Sequence, residues 1–147
     1  MPKSGLYEQD FFGWANEQAA LLRSGKMASA DFDNIAEEIE SMGRSEQREL
    51  ESRLTILLLH LLKWRFQPSL RGNSWRYSIM EQRRKIERHL RQNASLRAKL
   101  AETIADSYGD AIIEAARETG LDATTFTPEC PWSFDQMMDP DLWPDHG

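Results

Sequence analysis

A stripe of apolar side chains runs from Ile35 through Ile39, Met42, Leu50, Leu54 and Leu61 to Trp64. It keeps the 3.6-residue period of a helix, and no proline interrupts it before Pro68. A chain that commits so long a segment to one helix must build its core helix against helix. Taken unbroken, residues 33–66 would reach about 51 Å at ~1.5 Å per residue, more than half as long again as the neighbouring helices. Gly43 is the expected kink or break, because glycine costs about 1 kcal/mol inside a helix.

The flanking segments read the same way. Tyr7, Phe11, Trp14, Leu21 and Leu22 describe a first helix closed by Gly25, and Asp31 or Asp33 can cap the second. Gly72-Asn73-Ser74 makes a turn, with Asn73 or Ser74 as N-cap of a third helix bearing Trp75, Ile79, Ile86 and Leu90. Ser95 is the expected cap of a fourth, which buries Leu96, Leu100, Ile104, Tyr108, Ala111 and Ala115 and stops at Gly120. Short connections make helices two, three and four antiparallel neighbours. Residues 121–147 differ in kind. They hold four of the six prolines together with Trp132, Phe134 and Trp143, lack a continuous period, and leave room for a short helix capped by Ser133. The expected fold is all-α: one domain over 1–147, with an antiparallel bundle of four to five helices in 1–120. A Pro/Trp-rich C-terminal arm, 121–147, is expected to pack across it.

Charge divides the same chain into blocks. Residues 63–99 hold eleven Lys/Arg against two acids, residues 1–62 six against eleven, and residues 100–147 one against eleven, for a net charge of −6. Glu102, Asp106, Asp110, Glu114 and Glu118 recur at every fourth position of the fourth helix. Like charges at that spacing cost roughly 0.2–0.5 kcal/mol per pair, so the fold has to tolerate them. The first residues lack the apolar stretch of a secretory signal, and no apolar run approaches the ~18 residues of a membrane span. Cys130 is alone, which fits a reducing compartment. We therefore expect a cytoplasmic protein with no membrane attachment.

Several strings carry a family resemblance. Glu37-Glu38-Ile39-Glu40-Ser41-Met42-Gly43 is one, and Leu58-Leu59-His60-Leu61-Leu62-Lys63-Trp64 another. Ser74-Trp75-Arg76 followed by Glu81-Gln82-Arg83-Arg84, and then Cys130-Pro131-Trp132, complete the set. Together they resemble the bacterial family called domain of unknown function 29, from about Leu6 to Trp143. The resemblance implies an all-helical single-domain protein and brings no activity, substrate or catalytic residue.

Among candidate sites the basic third helix comes first. At about 100° per residue, Arg84, Arg88 and Arg91 point away from the core, and Arg76 and Arg83 fall on its boundary. These five form the candidate interaction surface. The leading expectation is a surface balanced by acids on neighbouring helices and by the pairs Glu81–Lys85 and Glu87–Arg91. Contact with a charged protein partner comes next, and phosphate contact with nucleic acid last. The acidic face of the fourth helix spreads its carboxylates along the axis, which suits solvent better than a cation wanting converging ligands.

His60 is expected to be a hydrogen-bonded, partly buried histidine. Neither His60 nor His89 follows a Glu by three residues, so the di-metal signature of helical bundles is missing. Glu37, Glu38 and Glu40 read as a solvated first turn, Cys130 as a packing residue, and Met137-Met138 as gap filling. We expect no catalytic residue, cofactor or metal. The function expected is a small non-enzymatic interaction or assembly module, as a homodimer or with a charged protein partner. The alternatives are nucleic-acid binding through the third helix, and an enzyme centred near His60.

Overall fold

In the computed structural model, which describes residues 5–145, the chain is all-helical. Six α-helices are joined by four short 3-10 segments, and no strand forms among the described residues. No helix among them is long and apolar enough to cross a membrane. The helices are α1 (Leu6–Gln9), α2 (Phe11–Arg23), α3 (Phe32–Phe66), α4 (Asn73–Gln92), α5 (Leu100–Thr119) and α6 (Phe134–Met138). The chain divides into two compact units that meet in sequence between Ser45 and Glu46.

The first unit holds its shape with few buried side chains. The expected single first helix is split at Asp10, whose backbone (φ −149°, ψ 84°) leaves the helical region. Its carboxylate accepts the Gly13 N–H at 3.0 Å and so caps α2. Gly13 suits this cap, because a Cβ there would meet the Asp10 carboxylate at 2.5 Å. The rings of Tyr7, Phe11 and Trp14 cluster with centroids 4.7–5.8 Å apart. Trp14 Nε1 donates to Asp31 at 3.1 Å, and the Asp31 N–H donates to Gln18 at 2.7 Å. The Tyr7 hydroxyl donates to Glu38, and that bond, aided by burial, pushes its pKa up to about 12. Gly25, at φ 75°, supplies the left-handed residue that turns the chain out of α2.

α3 runs without interruption through Gly43, so the anticipated break does not occur. One glycine costs only about 1 kcal/mol, and Arg44 reaches back to Glu37 at 2.9 Å beside it.

The second unit contains the core. Leu50, Leu54, Leu57, Leu58, Leu61 and Leu62 of α3 are fully buried. They share one cluster with Ile79, Ile86 and Leu90 of α4 and with Tyr108, Ala111 and Ala115 of α5. Each fully buried leucine contributes about 1.5–3 kcal/mol. Polar contacts fix which helices meet. Ser107 Oγ donates to the Glu51 carbonyl at 3.1 Å, Gln47 Nε2 to Thr103 at 2.8 Å, and Lys63 Nζ to Glu118 at 2.8 Å. Lys63 also sits 4.9 Å above the Trp75 ring.

Two expected caps are not used. Gly72, with no side-chain bond, precedes α4 where Asn73 or Ser74 was anticipated. Ser95 falls inside a 3-10 segment, Ala94–Lys99, that delays α5 to Leu100. Gly120 does end α5, at φ 76°. Ser133 caps α6 through a capping box with Gln136.

After Gly120, aromatic and carbonyl groups meet the helices. Trp143 packs on Trp64 at 4.8 Å and Phe126 on Phe66 at 5.0 Å, while the Tyr108 hydroxyl donates to the Thr127 carbonyl at 2.7 Å.

Candidate functional site

The basic helix α4 separates its arginines by depth. Arg76, Arg84, Arg88 and Arg91 are exposed. Arg83 is not, since only 6% of its surface meets solvent. Its Nε donates to the Met137 carbonyl and its Nη2 to the Leu142 carbonyl, each at 2.8 Å, and its guanidinium stacks 5.4 Å from the Trp143 ring. Burial pulls the Arg83 pKa down, with Asp139 acting in the opposite sense. Arg83 is therefore held inward, although it still lines a groove beside Arg84. A charge-assisted hydrogen bond to a carbonyl that water cannot reach is stronger than one at the surface. Sequence periodicity put this residue on the boundary, and carbonyls more than fifty positions away decided the matter.

Arg84 borders an apolar groove of about 570 Å³. Tyr77 and Met80 of α4 line it with Met138 and Pro140. Tyr77 is 59% and Met80 46% exposed. Two acids also line the groove, and each is paired within α4: Glu81 with Lys85 at 2.5 Å and Glu87 with Arg91 at 3.4 Å. These are the two pairs read from the sequence. Exposed pairs of this kind contribute about 0–1 kcal/mol, so they cancel charge more than they stabilise. Arg76, Arg84 and Arg88 have no ion-pair partner among the described residues.

Further along α4, a cleft of about 310 Å³ is lined by Glu49 and Arg53 of α3 with Lys85, Arg88, His89 and Gln92. His89 is 4% exposed and faces oxygen on both sides. Nε2 lies 2.9 Å from the Glu46 carbonyl, and Nδ1 lies 3.1 Å from Glu49 Oε2. Ligand atoms of Glu46, Glu49 and His89 all fall within 4.8 Å of one another, a grouping that could hold a metal ion. The surroundings argue against that use. Arg53 donates to the same Glu49 oxygen at 3.1 Å, and Lys85 and Arg88 line the cleft, so three cationic side chains stand where a cation would enter. When the ring carries both protons it donates to both helical partners and ties α3 to α4. The sequence contained one signal for this trio, the i, i+3 pair Glu46/Glu49. His89 joins it only once α3 and α4 lie side by side.

The other candidates are engaged locally. His60 Nδ1 is 2.8 Å from its own Ile56 carbonyl, and burial holds its pKa below the usual histidine value. Glu37 pairs with Arg44, Glu38 accepts from Tyr7, and Glu40 is exposed. Cys130 Sγ donates to the Trp132 carbonyl at 3.3 Å, and burial raises the thiol pKa, which disfavours the thiolate. On α5, Glu102, Asp106 and Asp110 are exposed as expected. Glu118 meets Lys63, and Glu114 pairs with Arg117 of its own helix.

A search of curated proteins and a search of solved structures each return no match. A family model does match, over residues 6–143, nearly the whole length. The all-helical fold and the motif strings agree with it, and the chain belongs to the family described as Domain of unknown function DUF29.

Proposed function

We propose that this chain is a small non-enzymatic interaction or assembly module whose basic face on α4 receives an acidic protein surface. The observation that carries the reading is the apolar groove of Tyr77, Met80, Met138 and Pro140 set beside exposed Arg84, which has no ion-pair partner among the described residues. Apolar area supplies contact, and unpaired Arg84 at its rim supplies orientation and choice of partner. In this reading α3 and α4 run antiparallel, supported by Glu49 beside His89 at one end and Lys63 over Trp75 at the other. α5 returns alongside α3 in the same direction, supported by the Gln47–Thr103, Ser107–Glu51 and Lys63–Glu118 bonds. Residues 121–145 act as an arm that walls the groove, supported by the Arg83 bonds to Met137 and Leu142. A cytoplasmic setting fits the single cysteine.

Exposed Tyr77 among arginines also suits stacking on a nucleic-acid base, which sustains a second reading. Fluorescence anisotropy of the full chain separates the two. The probes are a labelled Glu/Leu peptide and a single-stranded oligonucleotide of equal charge. The module reading predicts peptide binding that weakens with salt and is lost in Arg84→Glu/Arg88→Glu, with no preference for the oligonucleotide. Tighter oligonucleotide binding through the same arginines would transfer the proposal to nucleic acid. Indifference of both probes to the double substitution would end it.

A further inference from the structure

Resting on that reading, we infer that the acidic surface received by the α4 groove belongs to a second copy of this chain: the N-terminal half of its α3. That segment carries Phe32, Ile35, Ile39 and Met42 at spacings of three, four and three, the pattern of a helix seam meant for another helix. Most of the seam lacks cover: Phe32 is 53%, Ile39 62% and Met42 68% exposed, while Ile35 is half-buried. Among the described residues of the first unit, only Trp14 and Gln18 are buried, and neither completely. A segment of this size that buries so little of its own apolar surface ordinarily gains stability by association.

Charge identifies the occupant. Residues 1–45 hold eight acids against four basic residues, and Glu40, on the exposed surface beside Ile39, has no ion-pair partner among the described residues. Two such seams would bring like charges together. The α4 groove offers the opposite sign, an apolar floor with Arg84 unmatched at its rim. Seam and groove are thus apolar at the centre and complementary at the edge, as specific interfaces are. Because one copy carries both halves of the contact, a two-fold dimer makes it twice, each seam lying in the partner copy's groove.

The test is complementation. Ile39→Glu/Met42→Glu breaks the seam and leaves the groove. Met80→Glu/Arg84→Glu breaks the groove and leaves the seam. All four positions are exposed, and circular dichroism should show unchanged helix content in both variants. In light scattering after size exclusion, the wild type should run at twice the 17.0 kDa of one chain. Each variant alone should run at one chain, its dissociation constant raised roughly 100-fold or more. An equimolar mixture of the two should recover a two-chain species, because one intact seam meets one intact groove.

A groove variant that still dimerises would mean that seams pair with each other, and would overturn the inference. So would a mixture that remains monomeric at about 1 mM, or a monomeric wild type. A monomeric wild type that still binds the Glu/Leu peptide through Arg84 and Arg88 would discard the second copy and leave the docking face in place. Loss of both would remove both.

Discussion

The two halves of α3 carry the same kind of apolar stripe and meet opposite fates. From Leu50 onward, six leucines lose all contact with solvent; before Gly43, Ile39 and Met42 keep more than half of theirs. Periodicity identifies the face of a helix that wants cover and says nothing about what covers it. In the second unit the cover is α4, α5 and the segment around Phe126 and Trp132. In the first unit the shape is held by polar clamps, Tyr7 on Glu38 and Trp14 and Gln18 on Asp31, with a three-ring cluster. The seam is left over.

Truncation gives the largest contrast. Leu58→Ala should cost about 3–5 kcal/mol in urea unfolding, through lost transfer energy and the cavity left behind. Ile39→Ala should lie within roughly 0.5 kcal/mol for the monomeric chain. Similar values at the two positions would erase the distinction between the halves. Arg83→Ala should follow at about 2–3 kcal/mol, since two carbonyls lose a charged donor. It should also speed amide exchange in residues 137–143, which Arg88→Ala should not. Gly43→Ala should stabilise by about 0.5–1 kcal/mol, because a Cβ there meets nothing within 4 Å and the backbone is helical. Destabilisation would mean that the helix does bend at this point.

The pH effect at His60 is the smallest. Burial lowers its folded-state pKa, so the unfolded chain takes up the proton more readily. This contribution is complete above about pH 6.5 and is lost as pH falls below it through the folded value. Stability followed from pH 7 to 5 should decline less steeply in His60→Gln. An unchanged slope would assign the acid sensitivity to other groups.

What the sequence showed, it showed through local chemistry. Pro68 stops α3, Gly120 turns left-handed after α5, and Ser133 caps α6, each decided by neighbours within four residues. The split at Asp10 was also local, yet the aromatic period across Tyr7, Phe11 and Trp14 masked it. The 3-10 segment at Ala94–Lys99 shows that a good capping residue at Ser95 does not force a helix to begin there. The site was less legible. Arg84, Arg88 and Arg91 lie outward as helical arithmetic required. Arg83 turned inward because of partners that the period cannot see. The Glu46–Glu49–His89 contact needed α3 and α4 side by side, and the Glu46/Glu49 spacing by itself does not reveal which side chain of another helix joins it.

Hydrogen exchange along α3 at low and high protein concentration tests the central claim most directly. The account predicts strong, concentration-independent protection for residues 50–66, and weaker protection for residues 32–44 that rises as the protein is concentrated. Equal protection of the two halves at every concentration would contradict it.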